Sequence, residues 1–134
     1  MAYDENLRCI SLNAATTTFA SRQYHLVKAG TTAGTFVIGT TIAAGALNTV
    51  IGVLQDAPTA AGEACSIAFS GVSKVICGST KLSPGDFYIC GTSGRAASTA
   101  SATARDTIYG PWLSAAAAAG SIGSAFVDRV GITT

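Results

Sequence analysis

The segment that decides the fold runs from residue 50 to residue 72 and reads VIGVLQDAPTAAGEACSIAFSGV. Its second part alternates, so that Cys65, Ile67 and Phe69 share one face of an extended chain and smaller residues share the other. A run rich in β-branched residues, Val50–Leu54, precedes it. Alanine, proline and glycine between the two runs are typical of a turn. The segment therefore predicts two paired β-strands.

The same pattern occurs a second time, 58 residues further along the chain. Sliding the sequence by 58 positions aligns residues 50–72 with residues 108–130, and seven of the 23 aligned positions are identical. Each copy reads as a strand, an alanine-rich bend, a glycine and a second strand. Residues 115–119, all alanine, are therefore predicted to form a turn, since five residues are too few for a stable isolated helix. Because one hairpin cannot bury its apolar face alone, we expect the two copies to pack together.

The rest of the chain also reads as short strands separated by glycine turns. The sequence predicts further strands at residues 7–12, 24–27, 36–38, 73–77 and 86–90. A turn is predicted at Pro84-Gly85-Asp86, and an exposed, mobile loop over the low-complexity residues 95–105. This spacing predicts an all-β fold, a small β-barrel or β-sandwich built from hairpins with an extended N-terminal arm. We expect one domain, with residues 1–34 forming the arm and first strands and residues 35–134 the barrel or sandwich.

The composition excludes several classes of function. The chain has 134 residues and a formal net charge of +1, so no nucleic-acid partner is expected. Charged residues make up 11% of the chain, against about a quarter in ordinary soluble domains. The 27 uncharged positions between Lys28 and Asp56 are interrupted by threonine and glycine, so no membrane span is predicted. Acidic residues near the start of the chain speak against a secretory signal.

Groups suited to acid–base chemistry at neutral pH are scarce. His25 is the only histidine, and it lies in a predicted strand. It could serve as a base that activates a cysteine, but we favour the alternative of a half-exposed strand histidine. No phosphate-binding loop or nucleophile-elbow motif occurs. We therefore predict no enzymatic activity, no catalytic residues and no cofactor.

The four cysteines, Cys9, Cys65, Cys77 and Cys90, do not have the spacing of a zinc site. We expect them to be reduced, small buried residues. A disulfide between Cys65 and Cys77 depends on the register of a predicted hairpin at Gly71. A two-residue turn places the two cysteines on opposite faces, whereas a three-residue turn places them opposite each other, and the sequence leaves both registers open.

Four apolar residues are candidates for contact with a partner protein. Tyr109 and Trp112 flank Gly110-Pro111, where they form either an aromatic contact patch or part of the core. Tyr3 and Leu7 lie in the predicted N-terminal arm, which either frays or holds a neighbouring molecule. We predict Tyr3, Leu7, Tyr109 and Trp112 as the contact residues.

The order of motifs resembles a known family. Residues 50–72 are followed by KLSPGDFYI at residues 81–89, by Gly94-Arg95-Ala96 and by a closing hairpin over residues 108–120. In this order the motifs resemble the tailed-phage capsid cement, or head decoration, proteins over residues 35–131. Residues 1–34 are not covered, Pro111-Trp112 replaces a small apolar pair, and Ser121 stands where an acidic residue is frequent.

The resemblance implies a compact β-barrel or sandwich on the outside of a phage capsid, at junctions between major capsid subunits. Its partner would be the major capsid protein, and it would stabilise the shell after assembly in the host cytoplasm. The family has no catalytic residues to transfer. The low charge also favours a homo-oligomer, for which we expect a trimer rather than a dimer. The alternatives are another virion β-module that binds a tail or host surface, and a small Cys/His hydrolase that uses His25.

Overall fold

The computed structural model describes residues 7–17, 19–40, 50–78, 81–102, 106–115 and 118–133. Over this part the chain is nearly all β, which confirms the predicted fold class. The strands are β1 (Arg8–Ala14), β2 (Leu26–Ala29), β3 (Thr35–Ile38), β4 (Val50–Leu54), β5 (Ala64–Ser70), β6 (Val72–Ile76), β7 (Tyr88–Cys90), β8 (Ala96–Ser98), β9 (Thr107–Tyr109), β10 (Ile122–Phe126) and β11 (Arg129–Ile132). Among the described residues, no helix is long and apolar enough to cross a bilayer.

The first five strands form a closed barrel in the order β1-β3-β2-β4-β5. The predicted pairing of β4 with β5 is confirmed, with Leu54 opposite Ile67 in the register. Phe36, Leu54 and Ile67 are completely buried inside this barrel, and the rings of Phe19 and Phe36 stack at 5.2 Å. The predicted division at residue 34 falls inside the barrel, between β2 and β3, and residues 1–6 of the predicted arm lie outside the described residues.

The following strands repeat this arrangement. β6 pairs with β10, and β8, β7, β9 and β11 form a four-stranded sheet in the order β11-β9-β7-β8. Two single bridges, Cys77 with Ala96 and Trp112 with Ala125, connect these sheets. The resulting order β6-β8-β7-β9-β10 is the order of the first barrel, with β11 added outside it. The chain is therefore built from two related halves, residues 8–70 and residues 71–133.

Single hydrogen bonds recur at equivalent positions in the two halves. Gln55 N–H donates to Ser66 O at 2.9 Å, and 58 residues later Leu113 N–H donates to Ser124 O at 2.8 Å. The glycines between the paired segments, Gly62 and Gly120, have φ angles of +81° and +84°. The internal repeat predicted from the sequence is thus a repeat of structure.

Equivalent residues of the two halves also touch each other. Ser70 and Asp128 are 58 positions apart, and the Ser70 hydroxyl donates to Asp128 Oδ1 at 2.6 Å. The two halves therefore meet near Ser70 and Asp128. We call the surface along which they meet the seam.

The seam is filled by apolar side chains from both halves. Val53 and Ala68 of the first half belong to the same buried cluster as Tyr88 and Trp112 of the second. The Tyr88 and Trp112 rings meet edge to face at 5.6 Å. This cluster is continuous with the core of the second half, so the two halves share buried apolar surface.

The predicted hairpin between β5 and β6 is wrong. β5 pairs with β1 and β4, whereas β6 pairs with β10, because the chain leaves the first half at Gly71, where φ is +99°. Cys65 and Cys77 therefore lie in different halves, and neither register proposed for a disulfide between them occurs. None of the four cysteines forms a disulfide, and three of them are buried as expected, whereas Cys9 is exposed.

The low-complexity segment is also more ordered than the sequence predicts. Residues Ala96–Ser98 form β8, and Ala96 is completely buried where it bridges to Cys77. Residues 103–105 lie outside the described residues. In the other alanine-rich segment, residues 118–120 form a bend and turn, as predicted, and residues 116–117 are not described.

Candidate functional site

An open groove with a volume of about 430 Å³ lies along the seam. We call it the seam groove. Its lining residues lie in strands β1, β4, β5 and β9, at the start of β11 and in the short segment before β11. The lining residues are Ile10, Val50, Ile51, Phe69, Tyr109, Val127 and Arg129.

The seam groove is lined by equivalent residues of both halves. Ile51 and Tyr109 are equivalent residues of the two halves, and so are Phe69 and Val127. Each half therefore contributes one wall, and the two walls meet at Tyr109, whose hydroxyl donates to Val50 O at 3.0 Å. Burial raises the pKa of Tyr109, so this phenol stays protonated and keeps donating at neutral pH.

The groove is apolar and accessible. Ile10 and Phe69 are 41% and 39% exposed, although aliphatic and aromatic residues of this size are usually buried. Arg129 is the one charged residue of the lining. Its Nη2 lies 3.4 Å from Thr107 Oγ1, a long hydrogen bond. An open apolar groove with one charge at its edge is typical of a surface that binds another molecule.

The four contact residues predicted from the sequence lie in different environments. Tyr109 lines the seam groove with 3% of its surface exposed, and Leu7 is half-buried against the seam cluster. Trp112 is completely buried in that cluster. With no accessible surface, Trp112 offers a partner nothing to touch in this structure, and the alternative of core packing describes its place. Tyr3 lies outside the described residues.

Sequence reasoning missed Ile10, Phe69 and Arg129. The alternation of β5 places Phe69 on the face of Cys65 and Ile67, which are buried, yet Phe69 extends beyond the end of the barrel core. Ala68 lies on the other face and is buried, because the second half covers it at the seam. Only the packing of the two halves distinguishes these positions, so no local pattern identifies the groove.

The alternative of a Cys/His hydrolase finds no support in the geometry. His25 is 2% exposed, which corrects the prediction of a half-exposed strand histidine. Its burial follows from its place at the start of β2, where the chain enters the seam. Burial raises the pKa of the cysteine thiols, that of Cys90 to about 12, whereas a nucleophilic cysteine needs a lowered pKa. No group of three metal-ligating side chains occurs in the described part of the chain.

Buried His25 predicts a pH-dependent stability. Burial lowers the pKa of His25 below its ordinary value of 6.5, and the nearby Arg22 and Arg95 lower it further, while hydrogen bonds to backbone oxygens oppose the shift. The unfolded chain therefore binds a proton at a higher pH than the folded chain does, and the free energy of unfolding falls as the pH drops below 6.5. We expect the urea midpoint to decrease from pH 7 to pH 5, and to decrease less steeply in His25→Gln. Equal slopes for the two proteins would contradict this.

Comparison with protein-family models and with curated proteins finds no match to this chain.

Proposed function

We propose that this chain is a structural virion protein that binds the outer surface of a tailed-phage capsid at junctions between major capsid subunits and stabilises the shell. The observation that carries the proposal is the open, apolar seam groove between the two halves. A structural protein of this kind needs a rigid framework that presents a complementary surface, and it needs no reactive group. A continuous buried cluster across the seam supplies that rigidity.

The composition supports docking on a protein surface. Only 11% of the residues are charged, so little charge loses its water when the surface is covered. Large apolar residues are also exposed away from the groove, among them Leu113 and Ile122. A capsid binds many copies side by side, so a modest affinity of each copy adds up to a large gain in shell stability. The trimer expected from the sequence is part of this proposal, and sedimentation equilibrium of the free protein tests it.

The order of motifs that resembles the cement proteins supports the fold more than it supports a particular surface for binding a partner. Gly62, Gly85 and Gly120 are motif glycines, and all three have positive φ angles that glycine adopts without strain. Gly94, the glycine of a further motif, also has a positive φ angle. The motifs thus encode turns of the two halves, and the support for binding comes from the seam groove.

Purified protein mixed with expanded capsid shells that lack it tests the proposal directly. We expect the protein to sediment with the shells and to raise their melting temperature. Absence of binding would reject the proposal. Binding to cell-surface glycans without affinity for shells would also reject it, in favour of a host-surface module.

The seam groove predicts which substitutions weaken binding. Phe69→Ser removes an accessible aromatic ring from one wall, and we expect about a tenfold loss of affinity for shells. Leu113→Ser is the matched control, because Leu113 is 41% exposed, as against 39% for Phe69, and lies outside the groove lining. Co-sedimentation at increasing protein concentration measures both variants. Equal losses for the two variants would show that binding does not depend on the groove.

A further inference from the structure

We propose that the seam groove binds an apolar side chain directly followed by a carboxylate, carried on a surface segment of the capsid subunit. This inference rests on the proposed function and specifies the partner of the same site. The apolar side chain enters between the two walls, and the carboxylate pairs with Arg129 at the edge.

The apolar part of the inference, that an apolar side chain enters the groove, rests on the shape and lining of the groove. Its volume of about 430 Å³ exceeds that of one aromatic or leucine side chain with its backbone. Both walls are apolar, Ile51 and Phe69 from one half and Tyr109 and Val127 from the other. Tyr109 and Val127 are 3% and 1% exposed, so the side chains that an occupant contacts are mainly Ile10 and Phe69. A polar side chain would lose its water here without gaining a partner.

The carboxylate part of the inference rests on Arg129. Its side chain is exposed, and within the described part of the chain its hydrogen bond is the long one to Thr107 Oγ1. The neighbouring carboxylate, that of Asp128, accepts a hydrogen bond from Ser70 at 2.6 Å across the seam. A guanidinium has five N–H donors, so Arg129 keeps donors for an incoming carboxylate, which it can bind through two parallel hydrogen bonds.

Charge argues against a second copy of this chain as the occupant. Two copies placed groove to groove would bring Arg129 of one towards Arg129 of the other, and like charges across an interface are unfavourable. Two concave surfaces would also leave the space between the walls unfilled. A partner that carries a protruding apolar side chain and a negative charge satisfies both conditions.

Two short peptides test the chemistry without a capsid. The ¹⁵N-labelled protein is titrated at low salt with N-acetyl-Phe-Asp-amide and, separately, with N-acetyl-Phe-Asn-amide. We expect chemical-shift changes at groove residues and about three- to fivefold tighter binding of the aspartate peptide, because an exposed ion pair contributes modestly. The difference should disappear in Arg129→Gln. Equal affinities, or no shifts in the groove with either peptide, would overturn the inference.

Charge reversal tests the same contact on shells. We expect Arg129→Glu to bind shells about tenfold more weakly, Arg129→Lys to retain most of the affinity, and Lys81→Glu, an exposed control outside the groove, to bind normally. If Phe69→Ser weakens binding but Arg129→Glu does not, the proposed function stands, and the inferred pairing of Arg129 with a carboxylate is wrong. If the unmodified protein does not bind shells, the proposed function is wrong, and the peptide titrations alone decide the chemistry of the groove.

Discussion

Replacing Trp112 by alanine should lower the free energy of unfolding by about 3–5 kcal/mol, the usual cost of truncating a fully buried tryptophan. Trp112 is completely buried in the seam cluster, and its ring packs edge to face on Tyr88 at 5.6 Å. The space left by the indole ring cannot close easily, because a β-bridge between Trp112 and Ala125 holds this backbone segment against β10. The surrounding side chains would therefore line a cavity.

The adjacent residue gives the control for this prediction. Leu113 is 41% exposed, so Leu113→Ala should change the free energy of unfolding by less than about 1 kcal/mol. Denaturant titrations of both variants measure the difference. A loss in Trp112→Ala no larger than that in Leu113→Ala would contradict the core role. Trp112→Phe, which keeps most of the volume, should keep both the fold and the affinity for shells.

The second large effect is expected at Gly52, where alanine should cost about 3 kcal/mol through overpacking. Gly52 lies in β4 beside β5, and a β-carbon at this position would overlap the backbone oxygen of Ala68. A backbone atom cannot rotate away as a side chain can, so β4 and β5 would have to separate. Since β4 and β5 are neighbouring strands of the closed first barrel, the change should destabilise the whole first half.

Gly131 is the matched control for Gly52. It also lies in a strand, β11, but a β-carbon there meets no atom within 4 Å. Gly131→Ala should therefore leave the stability almost unchanged or raise it slightly, because alanine has less conformational freedom to lose. Thermal unfolding compares the two variants. A similar destabilisation by both would show that close approach at Gly52 is not the cause.

Local patterns predicted most strands, because the turns between them are encoded by glycine at positions that need it. The pairing of β4 with β5 followed from alternation and from the turn at Gly62. The pairing of β5 with β6 did not occur, although Gly71 looks like a hairpin turn. At that point the chain passes from one half to the other, and nothing local distinguishes a crossing from a hairpin.

Only part of the internal repeat was visible in the sequence. Residues 50–72 keep seven identities with residues 108–130, but β1 shares none with residues 71–77, its equivalent in the second half. β3 likewise shares no residue with 95–98. Four of the seven identities lie in the bend between β4 and β5, at positions 57, 60, 61 and 62. Strand interiors only need to fill space, and the halves fill it differently, with Phe36 in one where Ala96 stands in the other.

The candidate site depends on how the two halves pack together, which the sequence repeat does not show. Ile10, Phe69 and Arg129 come from separate strands and are brought together only when the halves meet. Tyr109 was predicted as a contact residue because it is aromatic and stands near a proline, and it does line the groove. Trp112 had the same local signal and is buried, since position 112 faces the seam cluster.

The contact between Ser70 and Asp128 has a consequence for how the two halves move relative to each other. Ser70 directly precedes Gly71, where the chain crosses into the second half, and Asp128 directly precedes β11. The hydrogen bond therefore fixes the two halves to each other beside their covalent connection. Any opening that swings the halves apart about Gly71 has to break this bond to a carboxylate first.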